Sequence, residues 1–322
     1  MLRRSIFAAV LAILCFSCLA QADTIRVMDS PRQLTPEGQY FMQPIWSPLG
    51  DRLAVAGENY EGLWEVDRQS GQPEQISDQA GAGFLPVWSA DGQRIATRVT
   101  EAQDKRRLSA IVVLDADKET TTELTEYEKS LSTPSWIDGD SKLFFTRNGK
   151  SEVMEAPGTT KSETPSGDLI LYLKDGAMTL RQWPDEEEKT LQPVDGTILW
   201  AVLSPDQGQI VFEVSGSQLY SVATDGTGLV ELGRGERPRW SPDGRWIVCM
   251  VTEDDGYRIL SADIFAISSD GSQRVPISQT TDRLEMNPDW SPDGNMIACD
   301  TRGEGVILLI PVETERDYPP ER

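Results

Sequence analysis

Short apolar runs recur along the chain, each preceded by a polar turn. They are Leu53-Ala54-Val55-Ala56, Ile95-Ala96-Thr97, Leu143-Phe144-Phe145, Ile210-Val211-Phe212, Ile247-Val248-Cys249 and Ile297-Ala298-Cys299. Their β-branched and aromatic content predicts strands. Ahead of each stands a copy of one phrase, best kept as Pro238-Arg239-Trp240-Ser241-Pro242-Asp243-Gly244 and Pro288-Asp289-Trp290-Ser291-Pro292-Asp293-Gly294. Trp46, Trp88 and Trp136 head three further copies, and Leu203 replaces the tryptophan in a sixth. The phrase predicts a tight turn. Pro48, Pro205, Pro242 and Pro292 fix φ at its first corner. Asp91, Asp206, Asp243 and Asp293 can bond their own backbone, and Gly50, Gly92, Gly244 and Gly294 accept positive φ. Trp46 and Trp88 lie 42 positions apart, the spacing of a four-stranded propeller blade.

The architecture predicted is therefore all-β, a β-propeller. A second strand follows the first in seven places: around Trp64, Val112, Val153, Thr179, Leu219, Phe265 and Ile307. Seven hairpins predict seven blades, with six as the alternative. The hairpin around Thr179 belongs to a worn copy of the phrase, Thr164–Tyr172, with one strand lost or merged around Gly158–Glu163. An apolar residue stands twelve positions before several of the repeat residues: Leu34, Ile76, Leu124 and Leu191 before Trp46, Trp88, Trp136 and Leu203. It marks the outer strand of the preceding blade. Arg32–Thr35 thus forms an outer strand with no blade in front of it, while the last blade stops at Ile310 without one. Pairing of the two predicts a ring closed by the N-terminal segment, which removes open sheet edges.

Residues 1–22 read as a secretory leader: basic Arg3 and Arg4, an apolar stretch from Ile6 to Leu14, and Ala20-Gln21-Ala22 as cleavage site. The stretch is short for a membrane span. Lipid attachment at Cys18 and extracellular release are the alternatives to a periplasmic location. The propeller is assigned to 23–316 and a tail to 317–322. Cys249 and Cys299 both lie nine positions after their tryptophan, so rotation about the ring points both thiols in the same sense. Two buried free thiols are expected rather than a disulfide.

A formal net charge of −22 argues against nucleic acid, whose phosphates need a basic footprint. The chain has no histidine, which excludes Ser-His-Asp and Cys-His machinery and His-ligated metals. No phosphate loop, dinucleotide fingerprint or nucleophile elbow occurs. No cofactor is predicted. Calcium on Asp138/Asp140 or Asp254/Asp255 is the one metal alternative, against an ordinary role in turns. Asp185-Glu186-Glu187-Glu188 reads as a solvated outer loop, and the repeat tryptophans read as core.

The phrase Pro-x-Trp-Ser-Pro-Asp-Gly, its apolar run and a closing Leu-Thr resemble the WD-like repeat of TolB-type propellers, from about Leu34 to Val312. The resemblance implies a six-bladed ring and a cell-envelope setting. The α/β domain that TolB-type proteins carry ahead of the propeller is not expected here, with only Asp23 to about Gln33 ahead of the first blade. Two function classes follow. One is an exported, non-catalytic, monomeric scaffold that binds a protein or peptide over its central opening. The other is a carbohydrate-active or hydrolytic propeller working with carboxylates alone, or a small-ligand or metal module.

Overall fold

The computed structural model describes residues 23–115, 120–158 and 167–315; the predicted leader and tail lie outside them, as do Cys15 and Cys18. Two short strands come first, β1 (Thr24–Val27) and β2 (Arg32–Gln33). Blade one follows as β3 (Phe41–Trp46), β4 (Arg52–Gly57), β5 (Glu61–Asp67) and β6 (Pro73–Ala80). Blade two is β7 (Val87–Trp88), β8 (Arg94–Gln103), β9 (Arg106–Asp115) and β10 (Thr120–Glu123). Blade three has β11 (Ser135–Ile137), β12 (Lys142–Arg147) and β13 (Lys150–Glu155). Blade four has β14 (Leu169–Lys174), β15 (Ala177–Gln182) and β16 (Glu188–Leu191). Blade five is β17 (Ile198–Leu203), β18 (Gln209–Val214), β19 (Gln218–Ala223) and β20 (Val230–Arg234). Blade six is β21 (Glu236–Trp240), β22 (Trp246–Asp254), β23 (Ile259–Ser268) and β24 (Arg274–Pro276). Blade seven is β25 (Glu285–Trp290), β26 (Met296–Thr301) and β27 (Ile307–Glu315), completed from the N-terminus. Seven antiparallel sheets make the predicted seven-bladed propeller.

The repeated phrase sets one register throughout. Trp46 pairs with Leu53, Trp88 with Ile95, Trp136 with Leu143, Leu203 with Ile210, Trp240 with Ile247 and Trp290 with Ile297. In blades two, five, six and seven the turn between the pair is locked by a serine, Ser89, Ser204, Ser241 or Ser291. Ser241 Oγ donates to Asp243 Oδ1 at 2.7 Å and accepts the Trp246 N–H at 2.9 Å, while the Gly244 N–H reaches the Ser241 carbonyl at 2.9 Å. Ser291 repeats this with Asp293, Met296 and Gly294, and Ser89 with Asp91, Arg94 and Gly92. The serines are buried, so each hydroxyl satisfies a backbone N–H that water does not reach.

The second strands are apolar without alternation because both of their faces are covered. On β4, Leu53 and Val55 pack with Ala298 and Leu309 of blade seven, while Ala54 packs with Ile95 and Ala110 of blade two. Burial of each such Leu, Ile or Val side chain contributes roughly 1.5–3 kcal/mol. Cys249 lies in the layer shared with blade five and Cys299 in the layer shared with blade six. Each thiol faces back toward the preceding blade, and both are free and buried.

The ring closes as the spacing predicts. Arg32 and Gln33 of β2 pair with Leu309 and Leu308 of β27, the Leu34 N–H reaches the Ile307 carbonyl at 2.8 Å, and Thr35 Oγ1 accepts the Ile307 N–H at 2.9 Å. Two details differ from expectation. The last strand does not stop at Ile310 but runs to Glu315, and β1 pairs along this extension from Val312 to Glu315. A second short strand was invisible because Thr24–Val27 carries no part of the repeat.

The middle of the ring also departs from the pattern. Blades three and four have three described strands each. Leu191 holds the outer-strand position by its twelve-residue step, so β14 stands second by count yet lines the central cavity. The Asp185–Glu188 run is not wholly a solvated loop: Glu188 opens β16 and binds Ser151 Oγ at 3.1 Å and Lys174 Nζ at 2.9 Å.

Candidate functional site

The innermost strands build the site, and the phrase before each turn decides what they present. Strand alternation turns the residues one and three positions before the repeat tryptophan toward the axis. The nearer layer holds Ile45, Val87, Ser135, Val202, Arg239 and Asp289. The farther layer holds Gln43, Leu85, Thr133, Trp200, Arg237 and Asn287. A cavity of about 790 Å³ is lined by members of both layers together with Asp168–Leu173 of blade four. A recess of about 10 Å³ adjoins it at Trp200 and Arg239, lined also by Gln43, Arg237 and Asn287.

The farther layer is held by strand bulges. Gln43, Leu85, Arg237 and Asn287 all have left-handed φ between 49° and 54° and each precedes a proline. In blades one, six and seven the pairing with the second strand skips at this point. The freed N–H groups point at the neighbouring blade: Gln43 N–H to Asp300 Oδ1 at 3.0 Å, Arg237 N–H to Glu213 Oε2 at 3.0 Å and Asn287 N–H to Met250 Sδ at 3.4 Å. A bulge thus re-aims the side chain into the channel while its N–H remains satisfied.

The two sides of the channel differ in chemistry. Blades one to four supply Ile45, Val87, Leu85, Leu171 and the rings of Trp88, Trp136 and Tyr172. Blades five to seven and the start of blade one supply Trp200, Arg237, Arg239, Asn287 and Gln43. Both guanidinium groups stand over the Trp200 ring, Arg237 at 4.5 Å and Arg239 at 4.9 Å from its centroid. Asp289 pairs with Arg239 Nε at 3.4 Å and accepts the Trp46 N–H at 2.8 Å. Burial depresses the Arg239 pKa, partly countered by Asp289, and burial raises that of Asp289, partly countered by Arg239. Asp300 is pushed up to about 7, chiefly by burial, with the Asn287 and Gln43 N–H groups drawing it partly back.

The repeat tryptophans divide into two groups. Trp46, Trp240 and Trp290 are buried as expected, Trp46 at the cavity wall, but Trp88 and Trp136 on the same wall are only partly buried. Their indoles still join blades. Trp88 Nε1 donates to the Ile45 carbonyl at 3.3 Å and Trp136 Nε1 to that of Val87 at 2.9 Å. Arg52 covers the Trp88 ring at 5.4 Å and Arg94 that of Trp136 at 4.6 Å, each arginine coming from the preceding blade. The reading of all five as core is corrected for these two. Trp88 stands in blade two and Trp136 in blade three, near blade four, whose described strands number three.

The carboxylates considered for calcium serve turns and blade contacts. Asp138 and Asp140 both have left-handed φ, Asp138 forms an ion pair with Lys142, and Asp140 Oδ2 accepts the Ala90 N–H at 2.6 Å. Asp254 and Asp255 accept backbone N–H groups of Gly256, Tyr257 and Arg258. Among the described residues no group of three or more Asp, Glu, Cys or His could hold a metal ion, and no helix is long and apolar enough to cross a membrane. Sequence reasoning missed Trp200, Arg237, Arg239 and Tyr172. Arg239 occupies the variable position within an otherwise constant phrase, while Arg237 and Trp200 stand just ahead of it, where the copies share nothing.

No protein-family model and no curated protein matches the sequence. Solved structures do. TolB from Acinetobacter baumannii superimposes with a TM-score of 0.53 at 18% identity, covering 82% of this chain and 60% of that one. This chain therefore spans less than two thirds of that structure's length. The putative TolB from Agrobacterium tumefaciens gives a TM-score of 0.54 at 19% identity, covering 88% of this chain and 94% of the other. What this chain shares with these structures is the fold, a β-propeller, here with seven blades.

Proposed function

We propose that this chain is an exported, non-catalytic scaffold that takes a protein or peptide segment into its central cavity. The observation that carries the reading is the exposure of aromatic rings there. Trp88, Trp136, Trp200 and Tyr172 are half-buried around about 790 Å³ of open volume, whereas Trp46, Trp240 and Trp290 are buried. Aromatic surface with a few placed polar groups on rigid strands is what ligand sites are made of. The leader-like first 22 residues and the resemblance to TolB-type repeats support export and an envelope setting. Carboxylate catalysis has less support: it needs an opposed pair of acids, and Asp168 is the one carboxylate among the described residues lining the cavity.

Leu173 provides the test. It lines the cavity and is 37% exposed, so Leu173→Asp places a charge in the channel without disturbing a buried contact. Affinity capture from an envelope extract with the full chain should enrich a defined protein, and the L173D chain should lose it while melting at the same temperature. Equal capture by the two would overturn the cavity as the binding site.

A further inference from the structure

We propose that the Arg237–Trp200–Arg239 wall of the channel is a carboxylate-binding subsite, and that it receives the free C-terminal carboxylate of an apolar peptide segment. This rests on the peptide-binding reading above and specifies the end of the peptide that enters.

The donors are present and only partly committed. Among the described residues, neither guanidinium donates a side-chain hydrogen bond; Arg239 is ion-paired at Nε with Asp289, and Arg237 stacks on Trp200 while its charge acts on the Glu213 and Asp300 carboxyls. Trp200 Nε1 is buried with no acceptor. Gln43, 4% exposed, lines the same recess, and its Oε1 also lacks a partner. A buried polar atom without a partner costs roughly 1–3 kcal/mol. The unpartnered indole N–H belongs to a residue that lines the recess, and with the arginine forks beside it the donors there call for an acceptor with negative charge; Gln43 Oε1 is itself an acceptor and is not completed by that group.

The surroundings narrow the ligand. A chain of net charge −22 repels polyanions at long range, so a single carboxylate is favoured over a phosphate-rich or multiply acidic partner. Facing the arginines across the cavity are Leu85, Leu171, Tyr172 and Trp88, which match apolar side chains. The recess of about 10 Å³ is room for little more than one polar atom. A chain end can place one carboxylate oxygen there while its apolar side chains fill the larger volume. An internal acidic residue would have to bring the chain in and out past the same walls.

Arg237→Gln is the informative variant. It installs the residue that blade one carries at the equivalent position, Gln43, with the same φ of 54°. The backbone bond to Glu213 is therefore kept. Trp200→Phe removes the indole N–H together with part of the ring that the arginines stack on. The probe is a pool of N-acetylated tetrapeptides of Leu, Ile, Phe, Tyr and Trp, supplied as free acids, as C-terminal amides, and as amides with one internal Asp. Retention on the full chain is read by mass spectrometry. The acids should be retained at least about tenfold better than either amide pool, the span of one charged hydrogen bond. R237Q should lose about tenfold on the acids alone, and W200F should lose part of it. Equal retention of acids and simple amides would overturn the carboxylate site while leaving peptide binding intact. Preference for the internal Asp would overturn the choice of chain end. A folded R237Q that keeps the acids would overturn the assignment, and retention of no pool would count against both readings.

Discussion

Asp300, on the second strand of blade seven, accepts the backbone N–H of Gln43, on the first strand of blade one, at 3.0 Å across the closing seam. The same Oδ1 takes Asn287 Nδ2 at 2.9 Å. Glu213 and Arg237 make the equivalent contact between blades five and six. In each case the acceptor lies ten positions after a repeat tryptophan or its Leu203 substitute, and the donor three before the next tryptophan. The seam between the chain's two ends is thus built like an interior blade junction, from residues 257 positions apart.

Removing the acceptor should cost more than removing its charge. Asp300→Ala leaves the Gln43 N–H and the Asn287 amide buried and unpaired, at roughly 1–3 kcal/mol for each. Asp300→Asn keeps an oxygen in place and should lose less than half as much. Urea unfolding at pH 5 compares the two. Equal losses would show that the seam does not depend on this bond.

The same residue predicts a pH dependence. Its carboxyl is raised from 3.8 to about 7, so between those values the folded chain holds a proton the unfolded chain has released. Stability from this group is then full below about pH 4 and declines as pH rises to about 7. Glu213 and Glu285 are raised by burial and act in the same direction. Asp206 and Asp270 act oppositely. Their serine neighbours hold them below the usual carboxylate range, so their contribution is lost only as pH falls through those depressed values. The wild-type urea midpoint should fall from pH 5 to pH 7.5, and the D300N chain should show a shallower fall. Parallel slopes in the two proteins would be evidence against a raised Asp300.

The N-terminal clasp can be tested by length. Removing residues 23–35 strips β1 and β2 from β27 and exposes an unpaired strand edge with the Leu308–Leu309 stretch beneath it. It also removes Ile25, Leu34 and Thr35, all buried. Such a chain should melt well below the parent and aggregate. Trimming Asp254–Arg258, a hairpin tip where Tyr257 is 98% exposed, should shift the melting temperature little. Matching melting curves for the clasp deletion and its parent would refute the closure.

Both thiols of the ring should be silent until it unfolds. Burial pushes Cys249 up to about 12, and Cys299 is raised well above its ordinary value by burial and by Asp300 and Glu285. A disulfide-exchange reagent at pH 8 should find no reactive thiol in a folded chain starting at Asp23 and two after denaturation. Reaction in the folded state would contradict the layer packing.

The architecture was legible in the sequence because a propeller repeats its instructions. Trp, Ser, Pro, Asp and Gly recur at a fixed step from an apolar run, and local turn chemistry with strand propensity fixes what such a step must build. Closure by Arg32–Thr35 followed from counting outer strands, since an edge left open is costly wherever it lies. The channel was different. Its wall consists of the positions where the copies disagree, and disagreement carries no local signal. That Arg237 and Arg239 both reach the Trp200 ring, that Asp300 meets Gln43, and that β1 adds to the end of β27 each depend on residues of separate strands brought together by rotation about the ring. Local sequence specifies a hairpin and its turn. Which side chains share a cavity is set by the number of blades and by how completely each fills its wedge, and in blades three and four that filling departs from the repeat.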